Sequence, residues 1–147
     1  MTTSDPLHVV CPHCHTTNRI RADDLASAPD CGQCHRPLFE GEPLPLDEAS
    51  FDKHITRSQI PVVVDFWAPW CGPCLQMAPF FHEAAQQLEP QARLAKLDTE
   101  AHQSIAARYG IRSIPTMIVF QGGREIARTS GARGASDIVR WVRQSLG

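Results

Sequence analysis

Three cysteine pairs, each separated by two residues, use up all six cysteines of this 147-residue chain: "CPHC" at 11–14, "CGQC" at 31–34 and "CGPC" at 71–74. A C-x-x-C pair can clamp a metal ion or cycle between dithiol and disulfide, and the surroundings decide which. Sixteen residues separate Cys14 from Cys31. That spacing suits a site in which two knuckles each present two thiolates and together close a tetrahedron around one ion. Zn²⁺ is the expected metal, bound by Cys11, Cys14, Cys31 and Cys34. Iron in a rubredoxin-like site shares the spacing, and both pairs also fit C-x-x-C-H, the c-type haem attachment pattern. Two haems would need more apolar cover than residues 1–42 supply. His13, His15 and His35 flank the knuckles and are expected to face solvent.

The third pair has no second pair to complete a metal site. It lies between an apolar run, "PVVVDFW" (61–67), and a helical pattern from Cys71 towards Leu88, a setting in which C-x-x-C reads as redox-active. At a helix start the unsatisfied N–H groups and the positive end of the dipole favour a thiolate, lowering cysteine pKa values to roughly 3.5–7.5 from about 8.5. Cys71 is therefore the expected nucleophile, and Cys74, one turn further in, the more buried resolving thiol. Gly72 and Pro73 keep the intervening turn tight. Asp65 is a carboxylate in a strand expected to be covered on both faces; burial would raise its pKa and let it exchange a proton near neutrality. The alternative is a strand-end aspartate with water access; Lys96, in the next strand's "LAKLD", is either its partner or a surface lysine.

The elements that must position these groups are legible in the pattern. Residues 1–42 carry three cationic against six acidic side chains and few large apolar ones: Leu7, Val9, Val10, Ile20, Leu25, Leu38 and Phe39. A segment so short needs a staple. "EGEPLPLD" reads as a linker, giving a zinc-ribbon segment over 1–42 and a second domain over 43–147. Asp47 is expected to cap a helix through Phe51 and Ile55. After the first strand and its helix, kinked at Pro79, come a strand over 92–98 and a short helix stopped by Gly110. A hairpin turns at Gly122–Gly123, and Ser136 is expected to cap a last helix with Ile138, Trp141, Val142 and Leu146 on one face. This alternation predicts an α/β sandwich around a mixed sheet.

The strings "VDFWAPWCGPC", "AKLD", "YGIRSIPT" and "SGA" occur in the order and at the spacing of the thioredoxin family. With the cysteine-rich segment in front, the whole chain resembles the zinc-containing bacterial thioredoxin 2 type. The resemblance implies the thioredoxin fold: a mixed central sheet flanked by helices, with a small N-terminal zinc ribbon. It makes Cys71 and Cys74 the redox disulfide, Asp65 the buried proton acceptor and Lys96 its neighbour, with Trp67 and Trp70 beside them. It further implies a cis Ile114–Pro115 bond and a substrate-binding surface of Trp70, Gly72, Pro73, Ile114, Pro115 and Gly131, where an extended substrate adds as a strand. The family commonly has a basic residue after the second cysteine; here it is Leu75.

The function expected is general protein-disulfide reduction, reset by an NADPH-dependent thioredoxin reductase, with no cofactor for the dithiol itself. The zinc site would tune oxidant response or partner choice. An oxidase or isomerase would favour a histidine between the cysteines and an export signal. A redox-controlled holdase or a zinc-ribbon binding module is the alternative from another class. A nucleic-acid ribbon should be basic, whereas this one is acidic. The opening residues show no basic n-region or apolar h-region, and no apolar run reaches membrane-spanning length. A cytoplasmic monomer with no membrane or nucleic-acid partner is expected.

Overall fold

In the computed structural model, which describes residues 6–147, β-branched residues dominate the central strand β4 (Val62–Trp67). Its backbone bonds to β5 (Arg93–Asp98) in parallel on one side and to β6 (Thr116–Gln121) antiparallel on the other. β3 (Leu44–Pro45) adds a short parallel edge beside β5, and β7 (Arg124–Ser130) closes the far edge, giving the order β3-β5-β4-β6-β7. Strand side chains alternate between faces. Val63, Leu94, Met117 and Val119 point into a core shared with α2 (Gly72–Leu88) and α4 (Ala135–Leu146). Val62, Val64, Phe66, Leu97, Ile118 and Phe120 meet Phe51 and Ile55 of α1 (Phe51–Arg57) and Ile105 of α3 (Gln103–Arg108). The result is the predicted mixed sheet between helical layers.

Residues 6–42 hold a second, two-stranded sheet. β1 (Pro6–Val10) pairs antiparallel with β2 (Thr17–Arg21), followed by a 3-10 helix, Ala22–Ser27. The segment has a miniature core after all: Val9, Cys11, Cys31 and Leu38, with Ile20, Leu25 and Phe39 against it. It is pinned to the larger unit by backbone bonds. Gln59 N–H donates to the His8 carbonyl (2.8 Å), and Val10 N–H donates to Ser58 Oγ (3.1 Å).

Three local expectations are corrected. "EGEPLPLD" is more than a linker, because Leu44 and Pro45 pair with Ala95 and Lys96, and Leu44 and Leu46 are buried in the α1/α3 core. Asp47 caps the turn before α1 rather than α1 itself: its carboxylate accepts from Ser50 N–H (2.8 Å) and Ser50 Oγ (2.9 Å), and the helix begins at Phe51. Ser136 lies inside the first turn of α4, since the bond from Ile138 N–H to the Gly134 carbonyl starts that helix at Ala135. On α4's inner face Ile138 and Val142 are buried, Trp141 is half-buried, and Leu146 is exposed at the helix end.

The α1/α3 core is centred on Phe51, which contacts Phe66, Tyr109 and Phe120 through tilted and edge-to-face rings. Phe51→Ala is expected to lower unfolding stability by about 3–5 kcal/mol, because a fully buried ring leaves a cavity that its neighbours fill only partly. Urea denaturation monitored by tryptophan fluorescence measures this.

Candidate active site and metal centre

Cys71 occupies the N-cap of α2, with an extended backbone, and its Sγ accepts the N–H of Cys74 at 3.2 Å. The first turn of a helix leaves N–H donors without intrahelical partners. One of them is thus satisfied by sulfur, which stabilises a thiolate there once the pair is reduced. Pro73 is tolerated in this first turn because its missing N–H had no helical partner to lose. In the structure the two sulfurs are joined as a Cys71–Cys74 disulfide. Both cysteines are buried, at 5% and 2% exposure, so in this oxidised form the expected difference in burial is small. The helix position distinguishes them more clearly.

Around the pair the surface is apolar. Trp70 is 69% exposed, Leu75 is also exposed, and Gly72 and Pro73 face solvent. The carbonyl oxygen of Ile114 lies 3.8 Å from Cys71 Sγ, and the Ile114–Pro115 peptide is cis. Gly131 N–H donates to the Pro115 carbonyl at 2.9 Å. Gly131 has φ +99° and open space where a Cβ would stand, so backbone conformation rather than crowding favours glycine there. Trp70, Gly72, Pro73, Ile114, Pro115 and Gly131 therefore share one end of the sheet with the dithiol. A second cis bond, Glu89–Pro90, had no signal in the sequence.

Asp65 is 1% exposed, and neither carboxylate oxygen has a hydrogen-bond partner among the described residues. The alternation of β4 sends it to the same face as Val63, beneath α2, whose inner residues include Cys74 and Met77. Its register neighbours are Lys96 on β5 and Met117 on β6. Burial raises the Asp65 pKa to about 7, with the Lys96 charge pulling the other way. The Lys96 ammonium sits 4.4 Å from the centre of the Trp67 ring, a cation–π contact that ties it to the strand leading into the dithiol.

At the other cluster, the sulfurs of Cys11, Cys14, Cys31 and Cys34 all lie within 4.8 Å of one another. Cys11–Cys34 and Cys14–Cys31 are 3.7 and 3.6 Å apart. A tetrahedron with metal–sulfur bonds of about 2.3 Å has edges of about 3.8 Å, so the set fits one tetrahedral thiophilic ion. The knuckles are built alike. Cys11 Sγ faces the N–H groups of His13 and Cys14, and Cys31 Sγ those of Gln33 and Cys34. His15 and His35 take equivalent left-handed conformations, φ 63° and 66°, and donate back to the Cys11 and Cys31 carbonyls. The thiols differ: burial pushes Cys11 up to about 12, whereas hydrogen bonds from the Cys34 N–H, Asn18 and the Gln33 N–H outweigh burial and bring Cys31 down to about 6.

Only His35 of the three flanking histidines is exposed. His13 pairs with Glu40 at 2.7 Å, and His15 Nδ1 lies 3.0 Å from Nε2 of the buried His54. Sequence reasoning missed Asn18, whose amide donates to Cys31 Sγ at 3.5 Å while its oxygen accepts Gly32 N–H at 2.9 Å. It also missed the buried pair Arg93 and Glu89. The argument that singled out Asp65, a charge in a strand covered on both faces, applies equally to Arg93 in "ARLAKLD".

The family profile described as Thioredoxin matches residues 42–144, and the one described as Thioredoxin 2, N-terminal, matches residues 10–36. "Thioredoxin C-3" of Corynebacterium nephridii is 43% identical over 138 residues, covering 94% of each chain. "Thioredoxin 1" of Synechococcus elongatus is 47% identical over 87 residues, 59% of this chain and 81% of its own. The "Bifunctional thioredoxin reductase/thioredoxin" of Mycobacterium leprae is 42% identical over 100 residues, 68% of this chain and 22% of its own.

The Asp65 carboxyl yields a test with a definite sign. Its ordinary pKa is 3.8 and its folded value about 7. Between them the folded chain holds a proton that the unfolded chain has released, so stability falls as pH rises through this window and levels off above it. Integrated, the cost is on the order of 4 kcal/mol. Asp65→Asn is therefore expected to stabilise the protein by a few kcal/mol at about pH 8 and by almost nothing at about pH 3. Urea denaturation of both proteins at the two pH values checks this; equal gains at both would show that the carboxyl is not desolvated.

Proposed function

The chain belongs to the thioredoxin family of thiol–disulfide oxidoreductases, and from that membership we propose that it is a general protein-disulfide reductase. The observation that carries this reading is the sulfur of Cys71 at the N-cap of α2, facing the Cys74 N–H. In the reduced protein the Cys71 thiolate attacks one sulfur of a substrate disulfide. A Cys71–substrate bond forms, the substrate disulfide breaks, and the second substrate sulfur leaves as a thiolate. Cys74 gives its proton to Asp65 and attacks Cys71 Sγ. The Cys71–Cys74 disulfide forms, and the substrate departs carrying two electrons and, after protonation, two thiols. Lys96 tunes the Asp65 carboxyl by its charge. Trp70, Gly72 and Pro73 provide the apolar rim; Ile114, beside the cis Pro115, offers its backbone to an extended substrate segment, and Gly131 leaves room for that segment's chain.

An NADPH-dependent thioredoxin reductase is the proposed electron donor that restores the dithiol. The Mycobacterium leprae relative, named for both activities in one chain, supports that pairing. The reading includes a monomeric, cytoplasmic protein, in the compartment where thiols are kept reduced. The catalytic unit is residues 43–147. The four-cysteine set holds one Zn²⁺ through Cys11, Cys14, Cys31 and Cys34, and the ion supplies the charge that keeps the knuckles together. This segment tunes oxidant response or partner choice.

Three experiments test these assignments. The protein, supplied with thioredoxin reductase and NADPH, is expected to reduce insulin. Cys74→Ser should trap substrates as mixed disulfides from cell extract, whereas Cys71→Ser should trap few. Equal trapping would reverse the assignment of nucleophile. Elemental analysis is expected to find one zinc per chain in the whole protein and none in the fragment 43–147, with the fragment still reducing insulin. Metal kept by the fragment, or iron in place of zinc, would overturn the metal assignment; an unfolded or inactive fragment would overturn the division of labour.

A further inference from the structure

Arg93 is the largest fully buried side chain among the described residues, yet it is a cation at the start of a β-strand. A buried guanidinium is costly unless its charge and its donors are met. Its partners are few. Nη2 donates to the Val10 carbonyl at 3.2 Å, and Nη1 lies 3.8 Å from Glu89 Oε2, too far for a hydrogen bond. Among the described residues Nε has no hydrogen-bond partner, and the Phe39 ring lies 4.5 Å from the guanidinium carbon. Glu89 is itself occupied: its two oxygens accept the N–H groups of Gly41 (3.1 Å) and Leu94 (3.2 Å). One long ion pair therefore leaves Arg93 short of negative charge.

Its side-chain hydrogen bond leads to the cysteine cluster. Val10, which accepts its hydrogen bond, immediately precedes Cys11 and forms the end of β1 that leads into the first knuckle. Burial lowers the Arg93 pKa, while Glu89, then Cys11 and Glu40 raise it. Four thiolates around one Zn²⁺ carry a net charge of about −2, and the first knuckle has no lysine or arginine of its own between Val10 and Asn18. We propose that Arg93 is a positioning residue of the metal centre: from the larger unit it fixes the Val10 carbonyl and supplies the buried positive charge that balances the zinc–thiolate cluster. This rests on the assignment of zinc to the four cysteines. The metal centre is then completed by a residue outside the ribbon, with Glu89 moderating the charge that Arg93 delivers.

The inference is tested by zinc affinity, measured in competition with a chromophoric chelator, with circular dichroism establishing that each variant is folded. Arg93→Met, which keeps bulk and removes charge, is expected to weaken zinc binding by about tenfold or more, the usual effect of losing a partner outside the ligand set. Arg93→Lys, which keeps the charge, should recover most of the affinity. The double variant Glu89→Gln/Arg93→Met separates two roles. If Arg93 serves only to neutralise Glu89, the pair of changes restores wild-type affinity and the proposal falls; if it serves the thiolates, affinity stays low. Glu89→Gln alone keeps an oxygen acceptor and should hold zinc as tightly as wild type or more so, which provides an answer even if Arg93→Met does not fold. Weaker binding by Glu89→Gln, or unchanged binding by folded Arg93→Met, would overturn the inference. A wild-type chain that binds no zinc would instead overturn the metal assignment on which it rests.

Discussion

β4 bonds to a strand on each side and is covered by helices on both faces, so no water reaches its middle. Five of its six residues are buried, and four of those are apolar. The fifth, Asp65, acquires its raised pKa from this enclosure, with no special arrangement of neighbours required. The strand's C-terminal end delivers the chain to Trp70 and Cys71 at the start of α2, beside the loop that carries Ile114. Desolvated carboxyl and capped sulfur are thus two products of one layered arrangement. A sheet open to solvent on the α2 face would lose the first of them.

Much of this was legible in the sequence because it rests on local rules. The β-branched run of 62–64, the C-x-x-C at a strand-to-helix junction and the glycine pair at 122–123 each specify their own element. The spacing of the first four cysteines specifies a closed tetrahedral set. The errors arose where a residue's role is decided by distant partners. Leu44 and Leu46 read as linker because a two-residue edge strand has no period to detect; the exposed edge of β5 recruits them. Asp47 and Ser136 are both competent caps, and tertiary packing chose the actual helix starts at Phe51 and Ala135. The cis peptide at Ile114–Pro115 followed from family resemblance alone, since chemistry at the local level favours trans.

The ribbon shows the same limit more sharply. Its own residues suggested a coreless segment stapled only by metal. In the folded chain it also rests on His54, Ser58, Gln59 and Arg93 of its neighbour. Residues that look out of place in the larger unit, such as a fully buried histidine and a fully buried arginine, make sense once the ribbon is laid against them. Burial holds His54 down at about 3, so it meets His15 as a neutral ring and adds no charge to the seam. The seam therefore has a single buried cation on its larger side, Arg93, and the sulfur cluster on the other.

α2 runs from the dithiol to the seam with the ribbon. Cys71 caps its first turn and Glu89 its last, and seventeen residues of helix span roughly 25 Å. A protein with six thiols faces an internal hazard: a nucleophilic sulfur able to open any disulfide is equally able to attack one formed elsewhere in its own chain. Thiol–disulfide exchange requires sulfurs in contact, and the length of α2 lies between the reactive pair at its first turn and the seam with the ribbon, reached through Glu89 and the Gly41 N–H, at its last. Separation along one helix thus sets the exchanging sulfurs apart from the seam on which the ribbon rests.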